Sequence, residues 1–117
     1  MLKLKGAQIL AIPTNWPVDS DTWQHTPPVR ATENHLHVIA CDRVGEERGF
    51  RFAGHSQIVD FNGKKLAEAG ETEEVILYAE LDAPAADRNH VIRQPAVWEF
   101  DRIAARRPEM YGPLVGR

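Results

Sequence analysis

Asn15 and Trp16 have side chains that could bind a ligand, and they lie where ligands often bind. They follow Ala7–Ile12, a nearly unbroken apolar run typical of a strand covered on both faces, and Pro13, which cannot donate to a sheet and is expected to end the strand. Ligands of layered α/β folds usually bind at the carboxyl ends of strands. An amide can bind a substrate amide or carboxylate, and an indole can wall an apolar pocket. The two residues could equally cap a turn and fill the core.

Cys41 is the single cysteine of the chain. Beside His37 or His55 it could act as a nucleophile. It also ends the apolar run Leu36–Cys41, however, where a free cysteine usually behaves as a small buried hydrophobe. We therefore favour a buried, structural Cys41 over a catalytic one. A lone cysteine excludes an internal disulfide and fits a reducing cytoplasm.

The histidines and glycines do not form a recognisable cofactor site. His35 and His37 share a face if both lie on one strand, but a metal site needs at least one more ligand and the sequence marks none. Gly45, Gly49 and Gly54 do not fit a phosphate-binding pattern. We predict neither a metal nor a cofactor.

The charged stretch from Asp42 to Gly54 has two interpretations. Arg43, Glu47 and their charged neighbours could form a rim that meets a charged substrate, or a solvated loop whose charges pair with one another. We favour the second. The same stretch could form a loose hairpin, with Phe50 and Phe52 pointing inward.

Length, net charge and the lengths of the apolar runs limit the classes of protein to which this chain can belong. The chain has 117 residues, enough for one domain, and a formal net charge of −3 without a basic stripe, which argues against nucleic-acid binding. No apolar run approaches the ~18 residues of a membrane span, and no secretory signal begins the chain. We expect a cytoplasmic protein that binds neither membrane nor nucleic acid.

The strands and helices that position these residues are predicted from hydrophobic periodicity and from the glycines and prolines that end such elements. Gly6 predicts a left-handed helix cap, and Thr26 before two prolines predicts the start of a helix. Asn62-Gly63 predicts a type I′ hairpin turn. Arg30 can pair with Glu33 or Asn34 along one helix face. Strands are predicted at Ala7–Ile12, Leu36–Cys41, Ser56–Phe61, Lys64–Glu68 and Val75–Leu81, helices at Val29–His35, Pro84–Arg93 and Val97–Arg107, an acidic turn at Glu71–Glu74, and an extended tail at Glu109–Arg117.

This order, β-α-β followed by a meander and then helix, predicts a layered α/β sheet with helices on one face. Strands as apolar as Ala7–Ile12 and Leu36–Cys41 need both faces buried. A further sheet or a second chain is therefore expected on the other face.

Several segments, in order and together, resemble the nitrilase or carbon-nitrogen hydrolase superfamily. They are KGAQILAIPTNWP (5–17), RATENHLHVIACDRVGEERGFRFAGHSQIVDFNGK (30–64), VILYAELD (75–82) and RRPEMY (106–111). The resemblance implies a four-layer αββα sandwich. It also implies hydrolysis of nitriles, amides or N-carbamoyl groups by a Glu-Lys-Cys triad, in which the cysteine attacks, the glutamate is the general base and the lysine stabilises the tetrahedral intermediate.

The resemblance begins after the family's nucleophile. That cysteine precedes the position of Gly6 in the family, with the glutamate and lysine further upstream, and Cys41 falls where members often read Ala-Asn-Arg. The resemblance thus implies that residues 1–117 are the carboxyl-terminal portion of a carbon-nitrogen hydrolase domain, half of the sandwich. Asn15, with Trp16 beside it, would line the substrate pocket, and RRPEMY would pack near subunit contacts.

Two functional expectations follow. The first is a hydrolase fragment without the triad, inactive as a lone chain, whose small amide or nitrile substrate binds only in the complete protein. The alternative is a non-catalytic interaction module that self-associates or docks on an intact family member. In either case we expect self-association, because an uncovered apolar sheet face would otherwise remain in water.

Overall fold

The computed structural model describes residues 1–19 and 21–116. Positions 20 and 117 lie outside the described residues, and position 117 is the last of the predicted tail. The chain forms two compact units, Met1–Asp87 and Arg88–Arg117. The regular elements are the strands β1 (Ile9–Thr14), β2 (His37–Asp42), β3 (Glu46–Glu47), β4 (Phe50–Arg51), β5 (Gln57–Val59), β6 (Lys65–Glu68), β7 (His90–Gln94) and β8 (Trp98–Asp101), the helix α1 (Thr26–Asn34), and 3-10 helices at Lys3–Lys5, Trp23–His25, Ala83–Asp87, Pro108–Met110 and Gly112–Val115.

The first unit is built on a four-stranded sheet of order β1-β2-β5-β6. β1 and β2 are parallel and are joined through α1, whereas β5 is antiparallel to both β2 and β6. The predicted β-α-β order and hairpin return are therefore present. Among the described helices, none is long and apolar enough to cross a membrane.

β1 differs from its prediction in two ways. Pro13 does not end the strand, since β1 continues to Thr14 and Pro13 pairs with Cys41. β1 pairs only with β2, and a proline is tolerated on such an edge strand because one row of its backbone groups needs no partner. The predicted burial on both faces is also wrong, because residues of β1 alternate between exposed and half-buried.

α1 begins earlier than predicted, and Thr26 does not cap it. Thr26 is the first helical residue, and its hydroxyl donates to the Thr22 carbonyl oxygen at 2.8 Å. The proline in the first turn and the pairing of Arg30 with Glu33, at 2.5 Å, agree with the prediction. The helix ends at Asn34, and the C-cap residue His35 takes the left-handed conformation with φ of 51°.

The β5–β6 hairpin forms where it was predicted, but its turn type differs. A type I′ turn needs positive φ at both central residues. Gly63 has φ of 86°, whereas Asn62 is not among the positive-φ residues. The Asp60 carboxylate instead accepts hydrogen bonds from the Asn62 and Lys64 amides at 2.8 and 2.9 Å, and this holds a turn that needs only one left-handed residue.

Both predicted carboxyl-terminal helices are wrong. Pro84–Arg93 contains only a short 3-10 helix at its start and most of β7 at its end, and Val97–Arg107 contains β8 followed by turns. β-branched and aromatic residues suit a strand pair, and Val91 lies opposite Phe100. The tail is not extended, since two 3-10 helices occupy most of it.

The predicted fifth strand, Val75–Leu81, pairs with no strand of the described chain. A strand is defined by its partner, so a β-prone sequence without one stays outside the sheet. Phe50, predicted to point inward, is 68% exposed, whereas Phe52 is half-buried.

The core lies on one face of the four-stranded sheet. Trp23 and the α1 residue Ala31 are fully buried against Val38, Ala40 and Val59 of β2 and β5. The opposite face, which we call the open face, is apolar and largely exposed near the β1 edge. Its exposed members are Ile9, Ala11, Pro13, Ile39 and Cys41.

Candidate functional site

A cavity of about 830 Å³ lies between the end of β1 and the β3–β4 hairpin. Asn15 lines it from the β1 side, and Phe50 and Phe52 supply apolar surface from the hairpin. The remaining lining residues are Pro17, Val18, Asp19, Glu47, Arg48, Gly49 and Arg51. The cavity therefore combines an exposed amide, apolar walls and charges of both signs at the carboxyl end of β1.

Backbone hydrogen bonds fix the segment that carries Asn15 against the hairpin. The Ala53 amide donates to the Trp16 carbonyl oxygen, and the Val18 amide donates to the Arg51 carbonyl oxygen, both at 2.9 Å. Pro17 and Phe52 form an isolated antiparallel bridge between these bonds. These contacts fix the two walls of the cavity relative to each other.

Trp16 faces the core. Its ring stacks on Trp23, with the ring centroids 5.7 Å apart and the planes at 23°, and it packs half-buried against the core cluster. It is not among the residues that line the cavity beside Asn15. The structure therefore places the two predicted substrate-binding residues side by side in the chain but in different surroundings, and their substrate-binding role stays a prediction.

Two arginines at the hairpin form ion pairs. Arg43 binds Glu47 at 2.5 Å and stacks over Phe52 at 4.6 Å, and Arg51 binds Glu71 at 2.8 Å. Only the Arg43–Glu47 pair lies within the charged stretch, since Glu71 is outside it, so a loop that pairs its own charges stays a prediction.

Cys41 is exposed, so its predicted burial is wrong. It lies on the open face of β2 and lines a second cavity of about 530 Å³ together with Ser56 and Glu73. His37 and His55 have other partners: His37 Nε2 contacts the Asp82 carbonyl oxygen at 2.8 Å, and His55 lies 3.8 Å from Glu68. Within the described residues, neither histidine hydrogen-bonds Cys41.

The two neighbouring histidines do not lie on one strand. His35 is the C-cap of α1, whereas His37 begins β2, and both rings pack on Phe61 with centroid distances of 4.8 and 5.4 Å. Among residues 1–19 and 21–116 there is no group of three or more His, Cys, Asp or Glu side chains that could hold a metal ion.

Asp42 positions the site and was missed from the sequence. Its Oδ1 accepts a hydrogen bond from the Trp16 amide at 2.7 Å, which ties the chain beyond β1 to the end of β2. The signal was available, since Asp42 is the first charged residue after an apolar strand run. Burial raises the pKa of the Asp42 carboxyl above its ordinary value, against the lowering effect of the Trp16, Arg43, Gly54 and Ala53 amides.

The raised pKa of Asp42 predicts a pH dependence of stability. Because the folded chain holds this proton more tightly than the unfolded chain does, the free energy of unfolding should fall as the pH rises from the ordinary carboxyl pKa through the raised one. Asp42→Asn keeps the Oδ1 acceptor without the charge, so it should remove this fall and be at least as stable as wild type at neutral pH. Urea unfolding between pH 3 and 7 (roughly the carboxyl titration range) measures it.

The control for this pH prediction is Asp42→Ala, which also removes the acceptor. It should cost about 1 kcal/mol or more of unfolding free energy, because the Trp16 amide loses its partner. Equal pH profiles for the wild type and Asp42→Asn would contradict the assignment.

The chain belongs to the carbon-nitrogen hydrolase family, whose family model matches residues 1–88. It is 36% identical over 113 residues to a nitrilase of Pyrococcus abyssi, covering 94% of this chain and 39% of that protein. It is 44% identical over 79 residues to a 2-oxoglutaramate amidase of Bacillus subtilis, covering 67% of this chain and 30% of that protein. These matches confirm the resemblance.

The structure matches the same family. A crystal structure of a carbon-nitrogen hydrolase from Helicobacter pylori G27 superposes with a TM-score of 0.76 at 31% identity, covering 98% of this chain and 43% of the other. This confirms the predicted fold class, an α/β half of the nitrilase-like sandwich. The chain spans well under half the length of each of these three proteins.

Proposed function

We propose that this chain supplies the carboxyl-terminal part of an enzyme that hydrolyses non-peptide C–N bonds in amides, nitriles or N-carbamoyl compounds. The observation that carries the proposal is the cavity at the end of β1, lined by the amide of Asn15 within a fold matched over 98% of the chain. A cytoplasmic location belongs to the same proposal and is supported by the lone cysteine.

In this proposal the residues of the chain bind and orient substrate and do not attack it. The Asn15 amide can donate to a substrate carbonyl or carboxylate oxygen and accept from a substrate N–H. Phe50 and Phe52 would cover apolar parts of the substrate. The Glu-Lys-Cys triad would lie in polypeptide outside these 117 residues. Cys41 does not fit the nucleophile, since no histidine of the described chain is hydrogen-bonded to it.

The first test is activity of the 117-residue chain by itself. We expect no turnover of simple amides, nitriles or N-carbamoyl amino acids above buffer, measured as released ammonia, because bound substrate would meet no activated nucleophile. Cys41→Ala should give the same result, and the intact mass of the purified sample must be that of the 117 residues. Turnover that Cys41→Ala abolishes would show that Cys41 is the nucleophile and would overturn the proposed division of roles.

The open face favours a second candidate function, a non-catalytic module that self-associates or docks on an intact family member. Ile9 and Ile39 are each 40% exposed on neighbouring strands of this face, and Cys41 is exposed beside them. Apolar surface of this kind is typical of an interface.

Self-association is the measurable consequence. Light scattering at several protein concentrations should give a mass that rises with concentration, and Ile39→Lys should shift the midpoint to about tenfold higher concentration, because a charge would be buried in the contact. Val29→Lys is the matched control, since Val29 is 49% exposed on α1, away from the open face. A clean monomer at all concentrations would exclude the self-associating module.

A further inference from the structure

Two charged side chains of the cavity at the end of β1 have no partner of their own. Among the described residues, two cations and two acids line this cavity: Arg48, Arg51, Asp19 and Glu47. Arg51 is ion-paired with Glu71, which lies outside the cavity lining. Glu47 is ion-paired with Arg43. Within residues 1–19 and 21–116, the side chains of Arg48 and Asp19 form no hydrogen bond or ion pair, either with each other or with another residue.

The backbone conformation at Arg48 is unusual for an arginine. Arg48 and Gly49 form the two-residue turn between β3 and β4, and their φ angles are 52° and 83°. A type I′ turn requires positive φ at both positions, and its first residue is usually asparagine, aspartate or glycine. In a left-handed backbone the Cβ of arginine comes close to the following carbonyl oxygen, which is unfavourable. The turn thus holds a guanidinium at the cavity where another residue would be more stable, and strain of this kind often marks a functional site.

The two unpaired charges define the charge of a ligand that fits. A ligand carboxylate can accept hydrogen bonds from the Arg48 guanidinium, and a ligand ammonium group can donate to the Asp19 carboxylate. An anion without the ammonium group would be attracted by Arg48 and repelled by Asp19. Asn15 can pair with a ligand amide, while Phe50 and Phe52 cover methylene groups. The volume of about 830 Å³ lies within the range of small-molecule sites, roughly 300–1,000 Å³.

We propose that this cavity binds a small zwitterionic amide, a molecule with a free ammonium group, a free carboxylate and an amide at the end of a short methylene chain. Arg48 binds the carboxylate, Asp19 binds the ammonium group and Asn15 binds the amide. This assignment rests on the proposed function, since it names the class of amide that the complete protein hydrolyses. Arg48 and Asp19 select the substrate and take no part in the attack on it.

The test is an NMR titration of the 117-residue chain with four related amides, followed at the side-chain amide of Asn15. L-Glutamine carries both charges, glutaramate only the carboxylate, γ-aminobutyramide only the ammonium group, and butyramide neither. We expect L-glutamine to bind most tightly, and the removal of either charge to weaken binding by about threefold or more, the effect of an exposed ion pair. Added salt should reduce this preference, because it screens exposed charges.

Variants of the two charged residues test the protein side. Arg48→Asn should weaken the binding of L-glutamine and glutaramate by about threefold or more, and leave the two amides without a carboxylate unaffected. Since asparagine suits the turn better, this variant should also have a higher urea midpoint, so that weaker binding cannot result from unfolding. Asp19→Asn should weaken only the two ligands with an ammonium group. Lys64→Asn removes an exposed charge outside the cavity and should change each affinity by less than about twofold.

Different outcomes separate this proposal from the proposed function. If butyramide shifts the Asn15 signals and L-glutamine binds no more tightly, the zwitterionic class is wrong and amide binding by the chain stands. The proposal is also wrong if Arg48→Asn and Lys64→Asn have equal effects, or if Asp19→Asn leaves the binding of L-glutamine unchanged. If none of the four amides shifts the Asn15 signals, the substrate-binding role in the proposed function fails as well.

Discussion

Gly54→Ala is expected to lower the free energy of unfolding by about 3 kcal/mol, whereas Gly45→Ala should cost only about 1 to 2 kcal/mol. Both glycines have left-handed backbones, with φ of 64° and 81°, so both pay the conformational penalty of an added Cβ. Only at Gly54 would that Cβ also clash, against the Glu71 carbonyl and 2.8 Å from the Gly70 carbonyl oxygen. At Gly45 nothing lies within 4 Å.

Urea unfolding of the wild type and the two variants measures this difference. Because the obstructing atoms at Gly54 are backbone atoms, they cannot move aside as a flexible side chain could. Gly54 also donates to the Arg43 carbonyl oxygen at 2.9 Å and accepts from the Trp23 indole, so a shift of its backbone would disturb both. Equal losses for the two variants would show that the tight packing at Gly54 contributes nothing beyond its φ.

Trp23→Ala should lower the free energy of unfolding by about 3 to 5 kcal/mol, the largest effect that we expect from a single side chain. Trp23 is fully buried, stacks on Trp16 and donates from Nε1 to the Gly54 carbonyl oxygen at 2.9 Å. Truncation leaves a cavity in the core and an acceptor without its donor. Far-UV circular dichroism during urea unfolding measures the loss, and the emission of Trp23→Ala combined with Trp98→Ala, which leaves Trp16 as the one tryptophan, reports whether Trp16 becomes exposed.

Two further variants separate the contributions at Trp23. Trp98→Ala is the control for loss of an indole, since Trp98 is 61% exposed, and it should cost no more than about 0.5 kcal/mol. Trp23→Phe keeps most of the apolar volume but removes the N–H donor, and should cost about 1 to 3 kcal/mol. A loss for Trp23→Ala no larger than that for Trp98→Ala would contradict the assignment of Trp23 to the core.

These residues connect the core to the candidate site. Trp23 holds Gly54 through its indole, Ala53 donates to Trp16, and Asp42 accepts from the Trp16 amide. Asn15 follows directly on the same stretch of chain. The stability variants therefore also test how the cavity is positioned: Trp23→Phe should perturb the NMR shifts of Asn15 and Trp16.

Short-range features of this protein could be predicted from the sequence alone, because they depend on residues close together in the chain. Gly6 takes the left-handed cap conformation with φ of 91°, and Arg30 pairs with Glu33 on the next turn of α1. The β5–β6 hairpin forms around the predicted Asn62-Gly63 pair. The family resemblance also rested on several short segments in order, and the match of the family model to residues 1–88 confirms it.

Features that depend on a distant partner were decided only by the tertiary structure. Pro13 stays in β1 because that strand is at an edge, and the hairpin of β7 and β8 replaces two predicted helices because Val91 meets Phe100 across the turn. Cys41 is exposed because it lies on the open face of β2, which its apolar neighbours in sequence cannot reveal. Composition and periodicity record what a segment prefers to bury, whereas burial itself depends on which other segments lie against it.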